Sequence, residues 1–438
     1  MQKAIIILLS NLFFFIPAFG QQVQQTRIST GAESLQPKLV EWRRHLHQHP
    51  ELSNREYNTA AYVAAHLKSL GMEVREKVGL TGVVGILQGG KPGPVVALRA
   101  DMDALPVKER VDLPFKSTVM SEYLGQEVPV MHACGHDAHV SILMGTAELL
   151  TTMKADLPGT VMFIFQPAEE GPPGDEEGGA PLMLKEGVFS DPRPEAIFGL
   201  HINSQTPVGM IRYKAGSTYA ASDWFTIRIT GKQTHGSQPW GGVDPTQVGA
   251  AIINSLQTIV SRETDLTKAP VVISVGKISG GVRSNIIPEE ITMEGTIRTL
   301  DTTMQSFVHR RFSEIVEGIA KTHRANAEVI IDRKTPVTFN NIELTHKMAP
   351  SFTKAAGAEN VKETEWTTGA EDFAFFANEI PALYFTLGGM PKGTNPKVAA
   401  PHHTPDFFID DSRLDVGVKA FTNLVFDYAA LKTATGKK

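Results

Sequence analysis

Residues 95–106 read Val-Val-Ala-Leu-Arg-Ala-Asp-Met-Asp-Ala-Leu-Pro. A short, mostly apolar run at 95–100 is followed by two aspartates, Asp101 and Asp103. A run of this length, rich in branched residues, is typical of a buried strand. Further runs of this kind lie at 82–87, 161–165 and 196–200. The apolar residues from Val140 to Leu150 recur at i, i+3, i+4 and i+7, which predicts a helix that begins near Asp137. Buried strands that alternate with helices predict an α/β domain with a mixed, largely parallel sheet.

The pattern changes after Gly216 and predicts a second, inserted domain. In chain order the predicted elements are a strand at 222–230, a helix at 245–260, strands at 271–278 and 290–300, a helix at 303–323 and a strand at 327–331. The order β-α-β-β-α-β is that of a ferredoxin-like sandwich. We therefore predict an α+β domain at 217–332, inserted into a first domain that comprises 21–216 and 333–438.

The composition of the 438-residue chain limits the classes of function. Lys and Arg number 42 and Asp and Glu number 47, which gives a formal net charge of −5 at pH 7. This charge disfavours binding to a phosphate backbone, and we predict no nucleic acid partner. Hydrophobic residues make up 42% of the chain, enough to bury a sizeable core. The single cysteine, Cys134, excludes an internal disulfide, so that it is either a buried small residue or a ligand.

Residues 1–20 carry the features of a secretory signal peptide. Lys3 precedes a mostly apolar run at 5–15, and Pro-Ala-Phe-Gly at 17–20 places small residues at the positions that a signal peptidase reads. The apolar run is shorter than the roughly 20 residues that a transmembrane helix needs. The sequence therefore predicts export to the periplasm or the extracellular space, with no membrane anchor after cleavage.

Polar side chains with metal-binding chemistry follow several predicted strands. The carboxyl ends of strands in an open α/β sheet meet at one edge, where ligands bind. The residues concerned are Asp101 and Asp103; Cys134, His136, Asp137 and His139; Glu169 and Glu170; and His201. Thiolate, imidazole and carboxylate together form the ligand set of a zinc-like divalent ion. Of two adjacent carboxylates, one suits metal binding and the other suits general base catalysis.

Each of these residues also has a purely structural interpretation. Cys134 and His201 could be core residues, and a pair of adjacent glutamates is usually solvent-exposed. Two later motifs add to the metal-binding interpretation, Glu371-Asp372 and, directly before a Thr-Pro turn, His402-His403. The combination favours a metal site over any of the separate structural explanations.

The motifs occur in a fixed order along the chain. They are Arg-Ala-Asp-Met-Asp-Ala-Leu-Pro at 99–106, Met-His-Ala-Cys-Gly-His-Asp-Ala-His at 131–139, Gln-Pro-Ala-Glu-Glu at 166–170 and Gly-Leu-His at 199–201. With them the chain resembles the M20 metallopeptidase family, specifically its amidohydrolase branch of hippurate hydrolases, N-acyl-amino-acid amidohydrolases and auxin-conjugate hydrolases. The resemblance extends from residue 43 to residue 405. It implies a zinc-peptidase-like catalytic domain that binds two divalent ions, and a lid domain at 217–332 that often also forms a homodimer.

The resemblance implies a ligand set and a general base. The metal ligands would be Cys134, His136, Glu170, His201 and His403. His403 rather than His402 corresponds to the family's terminal ligand, because it directly precedes Thr-Pro. Glu169 would be the general base. The ions would be manganese or zinc, with nickel or cobalt as further options, since the order of metal affinities alone does not select among them.

The resemblance also implies residues that contact the substrate. His235 corresponds to a histidine that holds the substrate and the developing oxyanion, often from the partner subunit. Asn285 and Arg298 resemble contacts to the substrate carboxylate, although Arg298 could also be a charge on a surface strand. Asp101, Asp103 and Asp137 would support the site.

The predicted reaction is hydrolysis of a small N-acyl amino acid to a carboxylic acid and a free amino acid. One alternative is an exported metallo-dipeptidase or carboxypeptidase of the same fold. Asp101 and Cys134 argue against it, because those branches carry a histidine and a bridging aspartate at these positions. A second alternative is a non-catalytic protein that binds a metal or a ligand. Glu169 argues against that role, because binding alone needs no general base.

Overall fold

The computed structural model describes the backbone of residues 2–435 and the side chains of residues 22–434. The predicted signal peptide at 1–20 therefore lies outside the residues whose side chains are described. A search of the described residues for a helix long and apolar enough to cross a bilayer finds none.

The chain forms two compact units. The first comprises Met1–Ala215, Asn340–Thr364 and Phe376–Lys438, and the second comprises Gly216–Phe339 and Glu365–Phe375. The segment 365–375 joins the second unit because the backbone of Thr367 bonds to Thr218 and the Ala220 N–H donates to Gly369 O. The predicted insertion at 217–332 lies within this second unit, whose last long strand continues to Thr335.

An eight-stranded sheet forms the centre of the first unit. In spatial order its strands are Glu73–Val78, Gly82–Gln88, Pro158–Gln166, Lys91–Asp101, Ala196–Pro207, Ala382–Met390, Ile211–Tyr213 and Val361–Glu363. The four strands from 158–166 to 382–390 pair in parallel. The strands at 73–78, 82–88 and 211–213 each pair antiparallel with the neighbour on the side of this central part, and the edge strand at 361–363 pairs in parallel with 211–213. The predicted mixed, largely parallel sheet is confirmed. A small separate hairpin joins Met120–Tyr123 to Gln126–Pro129.

Helices cover the sheet of the first unit. They are Gln2–Gln48, Tyr57–Ser69, His136–Thr152, Gly179–Lys185, Ile342–Ala356 and Asp415–Thr435, with a 3-10 turn at Ala358–Asn360. The short helix Phe373–Glu379 includes a boundary between the two units. Helix His136–Thr152 is buried along almost its whole length and packs against the first and last helices. The central strands of the sheet are themselves buried along most of their length, which explains why they are continuous apolar runs.

The second unit has the predicted β-α-β-β-α-β order. Its antiparallel sheet contains, in spatial order, Val271–Gly280, Glu290–Thr299, Ala221–Thr230 and Asn326–Thr335. Helices Pro245–Thr258 and Thr302–Thr322 are capped by Asp244 and Asp301, whose carboxylates accept backbone N–H groups of the first turn. The smaller elements are strands Thr234–His235, Ile286–Ile287 and Gly216–Tyr219, the 3-10 turn Pro239–Gly241 and the π-turn Ile259–Glu263. Strand Thr338–Asn340 begins in this unit, and its last residue belongs to the first unit.

Candidate metal centre

The carboxyl ends of the parallel strands bring the predicted polar residues together. Asp101 ends the strand Lys91–Asp101, and Glu169 and Glu170 follow the neighbouring strand Pro158–Gln166. Cys134 precedes the helix that begins at His136. Gly135 between them has a φ of +96°, and a Cβ there would lie 2.4 Å from the Ile202 side chain. Only glycine fits this position without strain, which explains the Cys-Gly-His sequence.

Donor atoms of all five predicted metal ligands lie close to one another. Cys134 Sγ is 3.4 Å from His201 Nε2 and 3.3 Å from His403 Nε2. His403 Nε2 is also 3.0 Å from Glu170 Oε1. His136 Nε2 lies 3.9 Å from Glu170 Oε1 and 3.9 Å from Glu169 Oε2. Overlapping groups of three, such as Cys134, His136 and His201, keep all their donor atoms within 4.8 Å of one another.

The hydrogen bonds of two histidines leave one ring nitrogen of each directed into this cluster. His136 donates from Nδ1 to Asp103 (3.2 Å), and its buried Nε2 has no hydrogen-bond partner among the described residues. His201 donates from Nδ1 to the Ile202 carbonyl (2.6 Å). A ligand histidine is commonly held in this way by a second hydrogen bond. With the mixed sulfur, nitrogen and oxygen donors, this orphaned nitrogen shows that the residues fit a borderline divalent metal ion.

Two other histidines of the motifs are held differently. His139 accepts the Ile202 N–H at Nε2 (2.8 Å) and donates from Nδ1 to Asp101. His402 accepts the Ser204 N–H at Nε2 (3.2 Å) and donates from Nδ1 to the Cys134 carbonyl (3.1 Å). Because a backbone N–H can only donate, neither ring keeps a lone pair for a metal. The geometry therefore supports His403, not His402, as the ligand before Thr-Pro.

These two neighbouring histidines allow a matched test. His403→Ala should weaken metal binding at least about a hundredfold, because it removes a donor atom from the cluster. His402→Ala should leave the metal content near that of the unmodified protein and lower the Tm by about 2–4 °C for each kcal/mol of lost stability. Metal analysis after dialysis, together with thermal melting, separates the two. Equal loss of metal in both variants would contradict the assignment.

Burial and the attraction between opposite charges shift the pKa values in the site in opposite directions. Burial alone would raise the pKa of Asp101 and Asp103 and lower that of His136, but the attraction between them reverses these shifts. The pKa of both aspartates is lowered, and that of His136 is raised to about 10. Burial and the carboxylates of Glu170 and Glu169 raise the pKa of the Cys134 thiol well above its usual range. A metal ion must therefore displace protons from both His136 and Cys134.

The raised pKa of His136 predicts how metal binding depends on pH. In the metal-free protein this imidazole stays protonated up to about pH 10. Only the neutral ring can bind a metal, so the affinity for Co²⁺ should rise with pH, by about tenfold per unit for each proton released. Calorimetry in buffers of different ionisation enthalpy counts those protons. An affinity that is constant between about pH 6 and 9 would contradict His136 as a ligand, since at least one proton must leave.

Asp137 lies outside the donor cluster, although it directly follows His136. It accepts hydrogen bonds from Arg43 (2.8 Å) and His47 (2.9 Å), and all three side chains are buried. Arg43, with attraction from His47, holds the pKa of the Asp137 carboxyl well below its usual range despite burial. Asp137 thus supports the site by joining helix Gln2–Gln48 to the start of helix His136–Thr152. The resemblance starts at residue 43, but nothing in the sequence assigned a partner to Arg43 or His47.

The predicted substrate contacts all lie in the second unit. His235 pairs with Ile286 across two short strands, and the Gly236 N–H donates to Asn285 O (2.8 Å). His235 and Asn285 are therefore neighbours, and both are exposed. His235 Nδ1 accepts the Ser237 N–H (3.0 Å), which places the proton of the neutral ring on Nε2. Arg298 is half-buried in the sheet and pairs with Ser222 and Val272; this burial lowers its pKa.

Comparison with known proteins identifies related sequences over almost the whole chain. The model of peptidase family M20/M25/M40 matches residues 97–427. Thermostable carboxypeptidase 1 of Saccharolobus solfataricus is 38% identical, over 92% of this chain and 98% of that protein. IAA-amino acid hydrolase ILR1-like 2 of Arabidopsis thaliana is 37% identical, over 94% and 90%. N-acetylcysteine deacetylase of Bacillus subtilis is 37% identical, over 88% and 96%.

Solved structures that share the fold include the following two. A protein assigned as an aminohydrolase, from methicillin resistant Staphylococcus aureus, aligns with a TM-score of 0.84 and 32% identity, over 92% of this chain and 100% of that chain. The Bacillus subtilis YXEP protein, described as a dinuclear metal binding peptidase, aligns with a TM-score of 0.76 and 33% identity, over 92% and 99%.

Proposed function

The chain belongs to peptidase family M20/M25/M40 and is a metal-dependent amide hydrolase, and from this premise we propose that its substrates are N-acyl amino acids. Hydrolysis at this site is supported by the position of Glu169 beside a cluster of five donor residues, 3.9 Å from the orphaned nitrogen of His136. The names of the relatives from Arabidopsis thaliana and Bacillus subtilis support an acylated amino acid as the substrate.

We propose that two divalent ions are bound by Cys134, His136, Glu170, His201 and His403. The YXEP protein is described as a dinuclear metal binding peptidase, which supports two ions per chain. Manganese, zinc, nickel and cobalt are all compatible with the donor atoms. When bound, the ions would supply Lewis acidity and lower the pKa of a water molecule toward about 7.

Within this site Glu169 would take a proton from the attacking water and pass it to the leaving nitrogen. Its side chain is 9% exposed, so that it is largely screened from bulk solvent. Glu170 Oε1 lies 3.0 Å from His403 Nε2, which supports Glu170 as the metal ligand and Glu169 as the general base.

The second unit would supply the substrate contacts. The family resemblance and the proton on Nε2 support His235 as a donor to the developing oxyanion, from its own chain or from a partner subunit. Asn285 and Arg298 would bind the α-carboxylate, for which a planar guanidinium is well suited. We propose that the protein is a homodimer. We also propose that residues 1–20 are a signal peptide that directs its export.

A carboxypeptidase is the second candidate, because the relative from Saccharolobus solfataricus carries that name. Both reactions release an amino acid with a free carboxylate. They differ on the acyl side of the bond, where a peptide carries an amine and an N-acyl amino acid does not.

Substrate pairs matched on the leaving amino acid test the proposal. The metal-loaded protein is assayed with N-acetyl-, N-benzoyl- and indole-acyl amino acids and with dipeptides that end in the same residues. We expect a higher kcat/KM on the acylated member of each pair. A consistent preference for the dipeptides would identify a peptidase, and metal binding without any turnover would identify a binding protein.

A further inference from the structure

A short segment between the first two helices contacts the backbone that carries the proposed catalytic glutamates. We call this segment, residues 52–56, the brace. Glu56 Oε1 accepts the N–H of Ala168 (2.8 Å), which directly precedes Glu169. Ser53 Oγ donates to Asp103 Oδ2 (2.7 Å), and the same carboxylate oxygen accepts the Glu170 N–H (3.0 Å). The backbone on both sides of Glu169 is thus held by carboxylates that the brace supplies or supports.

The turn at Ala168 has a conformation that needs such support. Ala168 is buried and has a φ of +51°, in the left-handed region that alanine rarely adopts. A non-glycine residue stays in this region only when its surroundings determine the conformation. The hydrogen bond from Ala168 N–H to Glu56 is one such constraint, and it acts one residue before Glu169.

The brace also holds the loop that follows Glu170. Asn54 Nδ2 donates to the Glu177 carbonyl and to Glu176 Oε2, each at 3.0 Å. Arg55 forms an ion pair with Glu176 at 2.6 Å. Because Arg55 and Glu176 are about 40% exposed, this pair contributes less than the buried contacts of Glu56.

Glu56 itself is fully buried and forms no salt bridge among the described residues. Its second oxygen accepts the hydroxyl of Thr81. Burial, together with repulsion from Asp103, raises the pKa of Glu56 to about 8. Glutamine is a close substitute for Glu56, because its side-chain oxygen can accept the Ala168 N–H in the same way.

We propose that Glu56 is a positioning residue, which fixes the turn Ala168–Glu170 so that Glu169 and Glu170 keep the orientations needed for catalysis and metal binding. This inference rests on the roles proposed above for the two glutamates. A purely structural role would stabilise the fold without any specific effect on the metal site.

Three variants separate the two roles. Glu56→Gln keeps an acceptor for Ala168 N–H, and Glu56→Ala removes it. Asn340→Ala is the control, because Asn340 is an equally buried polar residue of the same unit that bonds to the backbone of Tyr384 and Lys214. Each variant is measured for Tm, metal content, the absorption spectrum of the Co²⁺-loaded protein, and kcat and KM.

We expect Glu56→Ala to lose about a hundredfold in kcat with little change in KM, since a small misplacement of catalytic groups costs that much. Its Co²⁺ spectrum should change because Glu170 is displaced. Glu56→Gln should restore both properties, and Asn340→Ala should lose stability alone. If Glu56→Ala does not fold, Thr81→Val takes its place. This variant removes the hydroxyl that donates to Glu56, and it should change kcat and the Co²⁺ spectrum in the same direction but less strongly.

Two results would overturn the proposal. One is a Glu56→Ala protein that differs from Asn340→Ala in neither spectrum nor kcat. The other is a Glu56→Gln protein as impaired as Glu56→Ala. The Co²⁺ spectrum is measured without substrate. An unmodified protein that is inactive on N-acyl amino acids would refute the proposed function, but the Co²⁺ spectra would still test the role of the brace.

Discussion

Glu169→Gln is expected to lower turnover by about a thousandfold while the protein keeps its fold and its bound metal. Glutamine preserves the shape of the side chain but cannot accept a proton from water. Metal binding should survive because Glu170, not Glu169, lies 3.0 Å from His403 among the predicted ligands. Pre-steady-state and steady-state kinetics on the metal-replete variant, with metal content measured on the same sample, check the prediction.

The adjacent carboxylate provides the matched control. Glu170→Gln makes the same chemical change one residue away and should lose metal as well as activity. Near-normal turnover in a metal-replete Glu169→Gln protein would remove Glu169 from the mechanism. Loss of metal from both variants would show that the two glutamates do not divide the roles proposed for them.

Cys134→Ala is expected to abolish turnover because bound metal is lost. The thiol lies within 3.4 Å of His201 Nε2 and His403 Nε2, which makes Cys134 the residue that joins the two histidines into one cluster. If Cys134 served only as a small core residue, the variant would keep its metal and lose only packing energy. Metal analysis of the purified variant distinguishes these outcomes.

Thermal melting with and without metal supplies the control for Cys134→Ala. If Cys134 is a ligand, the added stability that metal gives the unmodified protein should be largely absent from the variant, and the two metal-free proteins should melt at similar temperatures. Full metal content combined with a lower Tm in both states would establish the structural interpretation of this residue.

Local motifs in the sequence predicted the sheet, and the family resemblance that these motifs carry implied the five donor residues. Strands that are buried on both faces are continuous apolar runs, and polar side chains at their carboxyl ends must converge because parallel strands end at one edge. This reasoning placed Glu170 and His201 at that edge without any knowledge of their distances, whereas Cys134 precedes helix His136–Thr152 and does not follow a strand of the sheet. The family and the fold class that these motifs predicted are both confirmed.

Features that depend on individual hydrogen bonds could not be predicted in the same way. His139 and His402 carry the same ring as the ligands, and only the backbone N–H groups of Ile202 and Ser204 exclude them. The contact between Glu56 and Ala168 joins residues 112 positions apart. The pairing of His235 with Ile286 uses strands of two residues, too short to produce a periodic pattern.

The division of the chain into units shows a further limit. The sequence pattern predicted one contiguous insertion, whereas the segment 365–375 belongs to the second unit through a few backbone contacts with 216–220. Such contacts produce no periodic pattern of hydrophobic residues in the sequence, because backbone groups form hydrogen bonds whatever the side chain of the residue. Glu371 and Asp372, which form one of the motifs that favour a metal site, lie in this segment.

Titration of the metal-stripped protein with Mn²⁺ or Zn²⁺, while hydrolysis of an N-benzoyl amino acid is followed, tests whether amide hydrolysis depends on two bound ions. We expect no turnover without metal and a rise in turnover that saturates at two bound ions per chain. Turnover that survives complete removal of metal, or an amide hydrolysis rate that does not change as the ions bind, would contradict this expectation.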